Sequence, residues 1–167
     1  MSTIRVNRFE NTSGVGFGAC VQIANTSTSS VITGTTTIPL DDTIPQNTEG
    51  FQILSVSITP KSASNKLKIS INTFLMNSNA SSTTNQLALF QDSTANAIAA
   101  TCHANGSGFM TQINLIHYMT AGTTSSTTFN VRVGNNAAGT TTVNGASSAR
   151  YYGGVGMSSI TIEEFQV

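Results

Sequence analysis

Hydrophobic and polar residues alternate with a period of two along much of this chain. Leu54, Val56 and Ile58 share one side of the pattern, and hydroxyl residues occupy the positions between them. The same alternation recurs over residues 67–71, 129–133 and 160–163. Since successive side chains of a β-strand point to opposite faces, each segment predicts a strand with one buried and one solvated face. Such strands are typical of antiparallel sheets.

Polar turns separate the predicted strands and indicate the fold class. The segment 60–65 (PKSASN) is predicted to close a hairpin, and residues 77–85 form a longer polar loop. Strand-like segments recur about every 10–15 residues, which predicts about eight to ten strands. No window combines helical apolar spacing with capping residues. The sequence therefore predicts an all-β protein, an antiparallel β-sandwich of jelly-roll type.

Composition divides the chain into two parts. Residues 24–50 are rich in Thr, Ser and Pro, and few of them can pack into a core, which indicates an extended arm or an irregular first strand pair. We predict an N-terminal arm with the first short strands over 1–45, followed by the sandwich body over 46–167. Near the start, Ile4 and Val6 alternate with polar residues and precede Phe9, and this pattern indicates one further short strand.

Some predicted strands are apolar on both faces. Ile116 and Tyr118 lie on the face opposite to that of the other apolar residues in the segment 112–120. An apolar outer face is unusual in a monomeric sandwich, so these side chains predict a buried subunit interface. Phe74 and Phe90, which are adjacent to other apolar residues, belong to the same predicted interface. The alternative is that a loop of the same chain covers them.

Charge and polarity narrow the choice of function. Charged residues make up 8% of the chain, seven Lys and Arg balance seven Asp and Glu, and 26 Thr, 21 Ser and 16 Asn supply most of the polar surface. A neutral chain without a basic cluster does not favour nucleic-acid binding. No apolar run approaches the roughly 18–20 residues that span a membrane, and we expect no signal peptide. Low net charge gives little repulsion, so we expect a closed homo-oligomer, with a hydroxyl-covered monomer as the alternative.

Candidate catalytic groups are few. A nucleophilic triad would have to draw its base and acid from His103, His117, Asp41, Asp42 and Asp92. No nucleophile elbow accompanies them, and with so many Ser residues chance proximity is common. We therefore predict that the chain is not an enzyme. A glycan-active enzyme that depends on Asp92 or Glu163 is the remote alternative.

The acidic residues do not form a convincing site either. Glu163 and Glu164 are adjacent, so in a strand they point to opposite faces and cannot converge on one glycosidic bond. Asp41, Asp42 and Glu49 could offer oxygen ligands to a cation, but their spacing is not that of an EF-hand loop. We predict a solvated acidic loop, no metal and no cofactor.

Two further groups of residues have alternative interpretations. Cys20 and Cys102 lie in strand-like apolar stretches, which predicts buried free thiols, and a single disulfide between arm and body is the alternative. Arg150, Tyr151 and Tyr152 combine aromatic rings with polar neighbours, which suits contact with a carbohydrate. The alternative is that this segment packs as a loop against the sheet.

Four segments resemble bacteriophage structural proteins. Residues 54–71 (LSVSITPKSASNKLKISI) and 116–133 (IHYMTAGTTSSTTFNVRV) resemble the C-terminal domains of tail fibres, in which Ser- and Thr-rich turns join alternating strands. Residues 159–165 (SITIEEF) are similar to the closing strand of that family, and residues 2–14 (STIRVNRFENTSG) to the opening of many phage structural proteins. The resemblance implies a trimeric β-sandwich on the surface of the virion, with no catalytic motif.

The same resemblance implies a place on the particle and a set of partners. Because the chain has no shaft and no collagen-like repeat, it is expected to be a short tail-fibre tip or, alternatively, a head decoration protein. In both cases the segment with Ile4, Val6 and Phe9 is expected to dock on another virion protein by adding a strand or inserting into it. The distal loops are expected to contact host-surface carbohydrate.

Overall fold

The computed structural model describes residues 18–78, 83–105 and 109–167. Within these ranges the protein is all-β, with one short 3-10 turn at Tyr152–Gly154. The strands are β1 (Cys20–Thr28), β2 (Ile32–Gly34), β3 (Phe51–Ile58), β4 (Lys66–Asn77), β5 (Thr83–Gln91), β6 (Ala99–Asn105), β7 (Thr111–Thr120), β8 (Thr127–Asn135), β9 (Thr141–Val143), β10 (Gly145–Ala146), β11 (Ala149–Arg150) and β12 (Ser158–Phe165).

The long strands form two sheets with the pairing of a jelly roll. In the first sheet, β12 lies between β1 and β4, and β7 pairs with the other edge of β4. The short strand β9 also pairs with β4, and β2 pairs with β9. The second sheet has the order β3-β8-β5-β6. The antiparallel pairs β1–β12, β3–β8, β4–β7 and β5–β6 are nested along the chain. Nesting of four strand pairs across two sheets is the arrangement of an eight-stranded jelly roll. The predicted fold class is therefore confirmed.

The inner faces of the two sheets form one hydrophobic core. The side chains that alternation assigned to the inner face are all buried: Leu54, Val56, Ile58, Leu67, Ile69, Ile71, Phe129, Val131, Val133, Ile160 and Ile162. Full burial of one such side chain contributes about 1.5–3 kcal/mol, which makes this core the main source of stability. The period-two pattern thus assigned these side chains to the correct face of their strands.

The connection over residues 59–65 crosses between the sheets, so the hairpin prediction is wrong. β3 belongs to the second sheet and β4 to the first. Glu164, which is fully buried, holds the connection from beneath. Its Oε1 accepts hydrogen bonds from the backbone N of Lys61 at 2.7 Å and from Nδ2 of Asn65 at 2.6 Å. The crossover between β7 and β8 bonds to this one, because the N–H of Ala121 donates to the carbonyl of Asn65 at 2.9 Å.

Part of the predicted arm belongs to the sandwich. β1 and β2 pair with β12 and β9, and residues 35–50 form a loop over the outer face of the second sheet. Ile38, which is 2% exposed, packs there with Ala88 and Phe90. This corrects the interface prediction for Phe90, because the side chain is itself 2% exposed beneath the chain's own loop. The outer face of the second sheet is therefore covered internally at this point.

Candidate functional site

The outer face of the first sheet carries exposed apolar side chains. Ile116 and Tyr118 on β7 are 59% and 65% exposed, and we call this pair the β7 patch. Their cross-strand partners on β4 are the polar residues Ser70 and Lys68, which leave both side chains exposed. Ile23 on β1, at the opposite edge of the sheet, is 63% exposed. This face therefore has apolar edges and a polar centre.

An ion pair occupies that polar centre. Nζ of Lys68 lies 2.6 Å from Oε2 of Glu163, and the two side chains are 29% and 26% exposed. The hydrogen bond that Lys68 donates to Glu163 raises the pKa of Lys68 above its ordinary value. Glu164, the next residue, points into the protein, so the predicted opposite orientation of the two carboxylates is confirmed. A partly exposed pair of this kind contributes little to stability and keeps the centre of the face hydrophilic.

Aromatic residues from two separate predictions meet at one end of this face. Tyr152 is 70% exposed, and its ring contacts that of Phe74 in a T-shaped arrangement with centroids 6.4 Å apart. Tyr151 is 42% exposed, and its ring centroid lies 6.2 Å from that of Tyr152. Phe74, which was predicted as an interface residue, is therefore partly covered by the same loop that was predicted to contact carbohydrate.

The backbone of this loop is unusually strained. Asn144, Ser147, Ser148 and Tyr152 all have φ between 49° and 64°, and in the described part of the chain only Asp92 shares this property among non-glycine residues. Left-handed backbone at a non-glycine residue costs of order 1–3 kcal/mol and persists where the surrounding structure enforces it. The loop thus carries Tyr152 on backbone in an energetically costly conformation.

A groove lies between this loop and the start of β7. Its volume is about 490 Å³, and it is lined by Asn72, Phe74, Met110, Thr111, Gln112, Tyr152, Val155, Gly156 and Met157. Nε2 of Gln112 donates to Oδ1 of Asn72 at 2.8 Å, so two amide side chains lie together in the groove. We call this site the Tyr152 groove.

Sequence reasoning missed the two amides. Asn72 and Gln112 are ordinary outward positions of their strands, and only the pairing of β4 with β7 brings them together. No sequence signal could have identified them without that register. Arg150, in contrast, was predicted as a carbohydrate contact but does not line the groove; its guanidinium packs beside Gly154 instead.

The acidic residues considered for a cation do not converge. Oδ1 of Asp41 accepts hydrogen bonds from Oγ1 of Thr43 at 2.6 Å and from its backbone N at 2.8 Å, which lower the pKa of Asp41. The carboxylate of Glu49 accepts instead from the backbone N of Gln46 at 2.9 Å. No group of three or more metal-ligating side chains occurs within the residues that the structure describes.

The candidate catalytic residues are likewise dispersed. His103 lies on β6 of the second sheet and His117 on β7 of the first. Oδ1 of Asp92 accepts a hydrogen bond from the backbone N of Thr128 at 2.8 Å, which gives this carboxylate a structural contact. The cysteines correct another expectation: Cys20 and Cys102 are free but exposed, because each lies at a solvated position of its strand.

The predicted docking residues Ile4, Val6 and Phe9 lie outside the described residues. Among the residues described, no helix is long and apolar enough to cross a membrane.

Comparison with known proteins yields likeness of shape only. No family model matches the chain, and no curated protein matches it. A structure of infectious bursal disease virus is 8% identical, with 97% of this chain and 46% of that chain covered and a TM-score of 0.41. Latent PorU from Porphyromonas gingivalis is 7% identical, with 95% and 14% covered and a TM-score of 0.37. The enzymatically active domain of tailspike protein 4 from bacteriophage CBA120 is 13% identical, with 73% and 18% covered and a TM-score of 0.28.

This chain spans less than half the length of each of those solved chains. The assignment of the jelly roll therefore rests on the strand pairing itself.

Proposed function

We propose that this chain is a structural protein on the surface of a bacteriophage particle, assembled as a homotrimer, similar to a tail fibre and in contact with host-surface carbohydrate. The observation that carries the proposal is the difference between the two sheets. The chain's own loop covers Phe90 on the second sheet, whereas the β7 patch on the first sheet stays exposed. Exposed apolar area on a flat sheet face suits contact with another subunit.

The resemblance to tail fibres supports the same conclusion. The segment 54–71 spans most of β3, a crossover and the first half of β4, and the segment 116–133 spans the second half of β7, a crossover and most of β8. Gly122 donates its backbone N–H to the carbonyl of Ala63 at 2.8 Å, so the two crossovers contact each other. The two segments therefore share one structural unit at one end of the sandwich.

A scaffold role suits the chemistry of the described surface better than catalysis. The catalytic candidates lie apart, and the hydroxyl-rich surface carries few ions. We therefore propose that the protein has no enzymatic activity. Its proposed place is the virion, where the segment with Ile4, Val6 and Phe9 would attach it to another virion protein.

Immunogold labelling of intact particles tests this proposal. Antibodies against the purified protein are expected to label the tail region, and the purified protein is expected to compete with particles for adsorption to host cells. Labelling of the heads without such competition would support a decoration protein instead. Particles without label, from lysates that contain the protein, would overturn the virion assignment.

A further inference from the structure

The Tyr152 groove is an open surface groove with aromatic, apolar and amide side chains in its lining. Its volume of about 490 Å³ falls within the range of binding sites for small molecules. The rings of Phe74 and Tyr152 contact each other in the lining of the groove. Val155 and Met157 add apolar side chains to the lining and are 80% and 45% exposed. The turn is closely fitted, because a Cβ on Gly156 would lie 2.8 Å from the Phe74 ring.

The polar groups in the groove offer one donor and one acceptor side by side. The hydrogen bond between Gln112 and Asn72 uses one N–H and one carbonyl oxygen of the two amides. Within the described chain, no other hydrogen bond involves either side chain. Whichever amide donates, a carbonyl oxygen and an N–H remain to bind a ligand.

The lining also determines the charge of the ligand. Among the residues that the structure describes, no Asp, Glu, Lys, Arg or His lines the groove, and Arg150 packs beside Gly154 outside it. A charged ligand would lose hydration there without gaining an opposite charge. The lining therefore favours an uncharged ligand with a flat apolar face for the Tyr152 ring.

We propose that the Tyr152 groove binds an uncharged sugar that carries an acetamido group. The amide of such a group can donate to the free carbonyl oxygen and accept from the free N–H of the Asn72–Gln112 pair. Its methyl group can pack against Val155 and Met157, while the sugar ring stacks on Tyr152. This inference rests on the proposed function, because a surface sugar is a natural ligand for a protein displayed to the host.

The groove and the β7 patch can be occupied together. Gln112 and Ile116 lie on the same face of β7 and are four residues apart, which corresponds to about 13 Å along a strand. A neighbouring subunit on the β7 patch therefore leaves the groove at the rim of the contact.

Saturation-transfer NMR on the full chain, with N-acetylglucosamine as the probe, tests the proposal. Glucose, which is uncharged, serves as the matched ligand that lacks the acetamido group. We expect saturation of the acetamido methyl, a dissociation constant of about 1–10 mM, and at least about tenfold weaker binding of glucose. No saturation with the wild-type chain, or equal binding of glucose, would overturn the proposal.

Variants place the binding in this groove. Tyr152→Ala and Gln112→Ala are expected to weaken binding at least about tenfold, since each removes one part of the site. Tyr151→Ala removes a neighbouring ring that does not line the groove and is expected to bind as the wild type does. Unchanged binding in both groove variants would refute the site, with the melting temperature of each variant reporting whether it folds.

Two further outcomes separate this inference from the proposed function. A protein that labels particles and competes for adsorption, yet gives no saturation, refutes the sugar site alone. Dissociation of the oligomer by Tyr152→Ala, without sugar binding by the wild type, would instead assign the groove to a subunit contact and overturn the inference.

Discussion

Glu164 is a fully buried acidic side chain that, within the described residues, has hydrogen bonds to only one of its two carboxylate oxygens. Its Oε1 accepts hydrogen bonds from Lys61 and Asn65, and its Oε2 has no partner in the described part of the chain. Burial of a charged or polar group carries a desolvation cost, which the hydrogen bonds to Oε1 offset in part. Here it holds the crossover between β3 and β4, one of the connections between the two sheets.

We predict that Glu164→Ala lowers the free energy of unfolding by about 2–4 kcal/mol, because it leaves buried donors without an acceptor. Glu164→Gln, which keeps one acceptor oxygen, is expected to cost less. Urea unfolding measures both, and the adjacent Glu163→Gln is the matched control, with an expected change of about 0–1 kcal/mol. Equal effects at the two positions would contradict the proposed role of Glu164.

Gly50 allows a second test at the scale of one residue. Its φ is +59°, and a Cβ there would lie 2.5 Å from the carbonyl oxygen of Val133. Gly122 has a similar φ of +72°, but the nearest atom to its Cβ position is 4.0 Å away. Gly122→Ala should therefore lower the free energy of unfolding by about 1–2 kcal/mol, the cost of a left-handed backbone at alanine.

Gly50→Ala should lower the free energy of unfolding by at least about 1 kcal/mol more than Gly122→Ala, because the added Cβ would clash with the backbone of β8. Urea unfolding of the two variants provides the comparison. A loss at Gly50 no greater than that at Gly122 would show that the loop over the second sheet is less closely packed than the structure has it.

At the scale of elements, one buried asparagine joins three segments. Nδ2 of Asn144 donates to the carbonyls of Thr28 at 2.9 Å and Ser30 at 3.0 Å, where β1 gives way to β2. Its Oδ1 accepts from Oγ of Ser158 at 2.7 Å, at the start of β12. The residue also has φ of 60°, a conformation that asparagine tolerates better than most residues.

We predict that Asn144→Ala destabilises the protein by about 2–4 kcal/mol, from lost buried hydrogen bonds and left-handed backbone together. Asn144→Gly should recover about 1 kcal/mol, the backbone part alone. Thermal or urea unfolding distinguishes the two contributions, and the exposed Asn114→Ala should change stability by less than about 0.5 kcal/mol. A glycine variant as stable as the wild type would show that the hydrogen bonds contribute nothing.

The alternation of apolar and polar residues predicted which side chains of each strand are buried, but it could not predict to which sheet a strand belongs. It identifies which side chains of a strand are buried, yet β3 and β4 show that two consecutive strands with the same pattern can belong to opposite sheets. The Phe90 position shows a related limit, since an apolar outer face can be covered by the chain's own loop or by a partner, and the pattern is the same in both cases. The Asn72–Gln112 pair depends on strand register, which no local pattern reveals.

At the scale of the whole molecule, the two sheets differ in how they are covered. The loop over 35–50 covers part of the second sheet, whereas the first sheet presents the β7 patch and the Tyr152 groove on one face. With seven positive and seven negative side chains, the chain has little net charge to oppose association. This asymmetry is the physical basis of the proposed trimer.

Sedimentation velocity of the purified chain at micromolar concentration tests that claim most directly. The wild type is expected to sediment at three times the chain mass of 17.4 kDa. The double variant Ile116→Thr with Tyr118→Thr should sediment as a folded monomer, and Leu40→Thr, which alters an exposed apolar residue on the other sheet's loop, should remain a trimer. A wild-type monomer at every concentration, or a double variant that is still trimeric, would contradict the account.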